Sequence, residues 1–157
     1  MNSNTFQPLN GKGFRFAVIA ARFNAELTDA MLADCVAALR ACGVTSQDVA
    51  TYRVPGSFEL PVAAKVCVDM GRFDAVICLG VIIKGETTHD QYIANSVANA
   101  LNEIAVQEKT PVVFGVLTTN DRAQAEARAL GGEKKGYEAG MSAVEMAILT
   151  REMKGVV

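Results

Sequence analysis

Residues able to do chemistry gather in one stretch, Gly80 to His89, which reads GVIIKGETTH and leads into DQYIANSVANALNEIAV. An apolar run enters it, and Lys84, Gly85, Glu86, two threonines and the chain's only histidine fill it. Glycine lets backbone approach a ligand, threonine hydroxyls and the N–H groups of a helix start bind an oxyanion, and His89 can move a proton near neutral pH. Phosphate binding with proton transfer is therefore within the loop's means, and Lys84, Arg128, Lys134 and Lys135 can add charge. The same residues admit a plainer reading, in which the threonines cap the helix and Lys84 is solvated. Other phosphate and acyl-transfer signatures are missing. There is no Walker pattern, the early GKGF precedes a strand and lacks a third glycine, no serine stands in a GxSxG elbow, and Glu59 and Glu86 are not an evident carboxylate pair.

The elements that must position this loop follow from hydrophobic periodicity. Strands are expected at 14–21, 49–54, 75–83 and 111–117 from their β-branched and aromatic content. Helices are expected at 25–42, from Ser57 as cap to Met70, after His89 to about Glu108, at 122–130 and at 137–154, with GGEKKG as a turn before the last. Strands that alternate with helices imply parallel pairing, hence an α/β three-layer α/β/α sandwich with a four-stranded parallel sheet. Ligands in such sheets bind beyond the carboxyl ends of the strands, which points to ARFN, VPGSFELP, GVIIKGETTH and VLTTN as one rim. On that rim Phe23 can stack on a flat heterocycle or staple the next helix, and Glu59 can bind hydroxyls and ring N–H groups or only complement a helix dipole. Phe114 stands mid-strand, where core packing is its default role.

Composition narrows the class. The 157 residues suit one domain, taken as 14–157 after an arm at 1–13 that packs on something or stays loose. A net charge of -2 with no basic stripe argues against nucleic acid as a partner. The N-terminal MNSNTFQPLNGKG has no signal-peptide core and no window is apolar enough to span a bilayer, so a cytoplasmic protein with no membrane partner is expected. Cys35, Cys42, Cys67 and Cys78 lie scattered among apolar residues without a CxxC spacing, as reduced packing residues do, and one histidine cannot supply a metal site.

Taken together, ARFN, VPGSFELP, LGVIIKGETTHDQYI, PVVFGVLTTN and QAEARALGGEKKGYEAGMSAVEMA resemble the lumazine synthase family, from about Phe14 to the last helix. The resemblance implies a flavodoxin-like sheet and an enzyme of riboflavin biosynthesis, a transferase without metal or cofactor. Its reaction would condense 5-amino-6-(D-ribitylamino)uracil with 3,4-dihydroxy-2-butanone 4-phosphate to 6,7-dimethyl-8-ribityllumazine, releasing phosphate and water. It implies that Phe23 stacks on the pyrimidine, that Ser57, Phe58 and Glu59 bind its polar edge and ribityl chain, and that Val81, Ile82 and Ile83 line the same pocket. Glu86 and Thr87 would hold the phosphate with Arg128, and His89 would transfer protons. Phe114, Arg128 and Lys135 would enter from a neighbouring subunit of a homo-oligomer, a pentamer or a larger icosahedral shell of sixty subunits, with the N-terminal arm a candidate for pairing with a neighbour and riboflavin synthase a candidate partner. Three departures stand out: Lys84 where many members have arginine, Glu86 for a small residue, and a GGEKKG turn one residue short. A non-catalytic binder of lumazine or riboflavin is the alternative within the same fold.

Overall fold

The computed structural model describes residues 9–156. Strand β1, Phe16–Ala21, is FAVIAA, apolar at every position and buried at every position. A strand of that kind needs cover on both faces, so it belongs in the middle of a sheet. It lies between β2 (Val49–Val54) and β3 (Ala75–Ile83), with β4 (Val112–Thr119) on the far side of β3, in the order β2-β1-β3-β4. All three pairings are parallel.

Alternation along β1 divides the core. Phe16, Val18 and Ala20 join the core under α1 (Ala25–Ala41), α4 (Arg122–Ala129) and α5 (Lys135–Met153). Ala17, Ile19 and Ala21 join the one under α2 (Leu60–Asp69) and α3 (His89–Glu108). The result is the expected three-layer α/β/α sandwich. On α1 the stripe Leu27, Met31, Cys35 and Leu39 is wholly buried, and each large side chain so placed contributes roughly 1.5–3 kcal/mol. Gly43 ends that helix at φ 83°, its N–H donating to Arg40 O and that of Val44 to Leu39 O, the paired bonds of a left-handed C-cap.

Helices α1 and α5 approach closely because α5 carries Gly136 and Gly140 one turn apart. A methyl group at Gly140 would stand 2.8 Å from Ala38 Cβ, and one at Gly136 would overlap the Met31 backbone. Gly136 is thus helical. The turn expected over 131–136 gives way at Lys135, since contact with α1 outweighs the low helix propensity of glycine.

Two further expectations change. Strand β4 runs to Thr119, not Leu117, because Thr118 and Thr119 pair with Ile82 and Ile83; the VLTTN segment is mostly strand. Phe114 is not core: β4 is an edge strand, and the ring is 44% exposed. Of the arm, residues 1–8 lie outside the described residues, while Gly11 donates its N–H to Cys42 O at 2.7 Å and Leu9 packs on the α1/α5 core.

Candidate active site

Chain order and strand order together fix where a ligand can sit. From β1 the chain moves outward to β2 across the α1 face, then returns past β1 to β3 across the α2 face, so its direction reverses between β1 and β3. The carboxyl ends of two strands at such a reversal splay apart and leave a crevice. The structure has a cleft of about 400 Å³ there, lined by Phe23, Ser57, Phe58, Glu59, Val81, Ile82, Ile83, Thr87 and His89, with Gly56, Gly85, Asp90 and Ile93. Nine of the residues expected at a site therefore meet in one place.

Phe23 follows the end of β1 and is held by backbone bonds to the neighbouring strand end. Arg22 N–H donates to Val54 O at 2.8 Å and Phe23 N–H to Pro55 O at 3.0 Å. Its ring is 71% exposed, so it is no staple beneath α1. An aromatic face this open at a cleft mouth is suited to stacking on a flat ligand.

The second wall is a short 3-10 turn, Ser57–Glu59, ahead of α2. Ser57 does not cap the helix as its sequence position suggested; it is buried against β3, where a side chain on Gly80 would overlap its hydroxyl. Gly80 is thus the reason this wall can touch the strand, in keeping with the close approach that an interior strand glycine signals. Glu59 holds the N-cap position of α2 without a side-chain cap bond, and its Oε2 instead accepts the Gly56 N–H at 2.9 Å and so fixes the turn. Phe58 projects beside it, exposed.

The floor is the end of β3, Val81 to Ile83, and the far wall is the 84–88 loop with the start of α3. Thr88 takes the cap position without a side-chain cap bond, and Thr87 Oγ1 is 3.5 Å from the His89 N–H, at the outer limit of a hydrogen bond. Capping alone therefore does not account for the threonines. His89 is the first residue of α3 and its ring is exposed at the cleft. Asp90, which follows it, has a buried Oδ1 without a hydrogen-bond partner among the described residues, in the wall shared with a polar recess that Thr118 and Asn120 also line. Sequence reading passed over Asp90; its place beside the only histidine was the available signal.

Four expected residues stand apart from this cleft. Glu86 is exposed and does not line it. Phe114 lies in mid-β4, Arg128 near the end of α4, where Nη1 donates to Gln124 O at 2.9 Å, and Lys135 at the start of α5, paired with Glu138 at 2.8 Å. One chain thus gathers the expected pyrimidine-binding residues other than Phe114, with Thr87 and His89, but not the two cations.

No metal centre competes with this cleft: no group of three or more His, Cys, Asp or Glu side chains could hold an ion among the described residues. The cysteines are buried, and burial pushes the Cys35 thiol up to about 12 and that of Cys78 upward as well, so neither is a thiolate near neutral pH. No helix among the described residues is long and apolar enough to cross a membrane.

Comparison with known proteins meets this geometry. The 6,7-dimethyl-8-ribityllumazine synthase of Thermococcus gammatolerans is 42% identical to the chain over 144 residues, covering 92% of each. The model of a family described as 6,7-dimethyl-8-ribityllumazine synthase matches residues 13–151, a span that takes in all four strands, the cleft and the helices carrying Arg128 and Lys135. On that match the chain belongs to the 6,7-dimethyl-8-ribityllumazine synthase family.

Proposed function

We propose that the cleft condenses 5-amino-6-(D-ribitylamino)uracil with 3,4-dihydroxy-2-butanone 4-phosphate to 6,7-dimethyl-8-ribityllumazine, as a transferase of riboflavin biosynthesis. The observation that carries this reading is the convergence of Phe23, Ser57 to Glu59, Val81 to Ile83 and the Thr87–His89 loop on one crevice at the switch point of the sheet. Phe23 stacks on the pyrimidine and Ser57, Phe58 and Glu59 meet its polar edge and ribityl chain. Thr87 and the backbone at Glu86 hold the phosphate, with the Glu86 side chain, already exposed, turned to solvent.

The amine is nucleophilic and the ketone electrophilic before either binds, so the protein has mainly to hold them together and move protons through imine formation, phosphate elimination and ring closure. His89 is the proton carrier. Because positioning supplies most of the rate, His89→Ala should lose less than the roughly 10²–10⁴-fold usually credited to acid–base catalysis. Abolished turnover in a variant that still folds and binds both ligands would contradict this.

Arg128, Lys135 and Phe114 complete the phosphate and pyrimidine ends from a second copy of the chain, in a pentamer or a larger shell. Their separation from the cleft within one chain supports the arrangement, as do the exposed Val62, Val66 and Met70 along α2 and Phe114 on the sheet edge. We take 14–157 as a single domain in a cytoplasmic protein, with riboflavin synthase the partner that would consume its product. Adding both substrates to the purified protein tests the reaction. Lumazine fluorescence should rise well above the spontaneous rate, and a rate equal to the spontaneous one would defeat the assignment.

A further inference from the structure

Asn24 breaks the usual rule for its position. It is the N-cap of α1, where an asparagine side chain ordinarily accepts a hydrogen bond from the N–H two or three residues on. Here its backbone is left-handed, at φ 58° and ψ 48°, and its side chain makes no cap bond. A non-glycine residue held there is strained, and asparagine is among the few that tolerate it. The side chain instead turns to the floor of the cleft, where Nδ2 donates to Val81 O at 2.9 Å across 57 positions of sequence.

The strand register explains what that bond does. Pairing of β1 with β3 stops at Ala20 with Leu79, and β1 itself ends at Ala21. Beyond that point β3 keeps its partner on the β4 side, with Val81 opposite Leu117, and loses the one on the β1 side. The Val81 carbonyl faces that gap. Asn24 supplies an N–H where β1 no longer does, and it sits next to Phe23, so one side chain ties the stacking wall to the floor at the place where the sheet opens.

We propose that Asn24 is a positioning residue that sets the gap between the Phe23 ring and the Val81–Ile83 floor, and with it the affinity for a flat heterocycle. This rests on the reading of the cleft as the pyrimidine half of the site. Asn24 acts through Phe23 and Val81 and need not touch the ligand itself.

The test uses two variants that preserve the left-handed backbone. Asn24→Asp keeps shape and conformational tolerance but replaces the donor with an acceptor facing a carbonyl; Asn24→Gly removes the side chain without strain. The full-length assembled protein is titrated with 6,7-dimethyl-8-ribityllumazine by fluorescence, and the KM of each substrate is measured, with Phe23→Ala as reference. Both Asn24 variants should bind the lumazine roughly tenfold more weakly and raise the KM of the ribitylaminouracil similarly, with the KM of the butanone phosphate within about twofold of wild type. If Phe23→Ala weakens lumazine binding while both Asn24 variants bind as wild type, the proposal fails and the cleft assignment stands. If both KM values rise together, Asn24 is only structural and the proposal also fails. If Phe23→Ala itself binds as wild type, the cleft assignment fails and the proposal with it.

Discussion

Replacing Arg128 by alanine is expected to raise the KM for 3,4-dihydroxy-2-butanone 4-phosphate by roughly 10- to 100-fold, with the KM for the ribitylaminouracil nearly unchanged. The guanidinium has five N–H donors in a planar fork. One of them is engaged at 2.9 Å by Gln124 O, and its nearest carboxylate, Glu133, stands 3.9 Å from Nε, too far for a hydrogen bond. The anchored Nη1 restrains the side chain, which is 38% exposed and makes no other hydrogen bond among the described residues. A phosphate that receives the remaining donors gains charge-assisted bonds, and a net loss of one, roughly 1.5–3 kcal/mol, is the source of the expected factor. Arg128→Lys should recover only part of it, because an ammonium keeps the charge and loses the fork. Steady-state kinetics with each substrate varied in turn checks this, and an unchanged KM would remove Arg128 from the phosphate site.

The largest expected loss of stability comes from a single methyl group. In a helix interior Gly→Ala ordinarily stabilises by about 1 kcal/mol through propensity. At Gly136 the new Cβ would overlap the O, Cα and C atoms of Met31, and backbone cannot rotate away as a side-chain tip would. Helices α1 and α5 must then separate, disturbing the core that Met31, Cys35, Ala139 and Ala143 form between them. A cost of about 3 kcal/mol or more is expected, opposite in sign to propensity, and near 10 °C in Tm for a chain of this size. Gly132→Ala is the control, since a Cβ there meets nothing within 4 Å. Thermal unfolding of the two variants separates the effects; equal melting temperatures would show that the helix contact is looser than described. Activity should fall with stability at Gly136, because α1 begins directly after Phe23 and Asn24.

How much of this was legible beforehand depended on the range of the interaction. Val49–Val54 and Ala75–Ile83 were readable to the residue, and His89–Glu108 to within a residue at its start, because apolar periodicity changes abruptly at Pro55, at the polar GETT loop and at the helix ends. The rim location of the cleft followed from βα alternation alone. What escaped were features decided by a distant partner. Thr118 and Thr119 looked like loop until Ile82 and Ile83 stood beside them as ladder partners. Ser57 looked like a cap until Gly80 offered it a place against the sheet. Gly136 looked like a turn until α1 lay across it, and the role of Asn24 is set by a carbonyl that no local pattern brings near. Phe114 misled in the other direction, since mid-strand position implies burial only when the strand is not at an edge.

In the proposed shared site one chain provides the cleft and another provides Arg128. Co-assembling two impaired variants measures this directly. One carries Phe23→Ala with His89→Ala and lacks a working cleft; the other carries Arg128→Ala. In a ring assembled at random from equal amounts, about one site in four joins an intact cleft to an intact Arg128 from its neighbour, if every site lies between adjacent copies. Mixed assemblies should therefore regain roughly a quarter of wild-type lumazine synthesis, measured at a butanone phosphate concentration well below the wild-type KM, where Arg128→Ala alone keeps at most about a tenth of it. Activity that never exceeds the average of the two parent variants would place the cleft and Arg128 of each working site on the same chain and contradict the shared site.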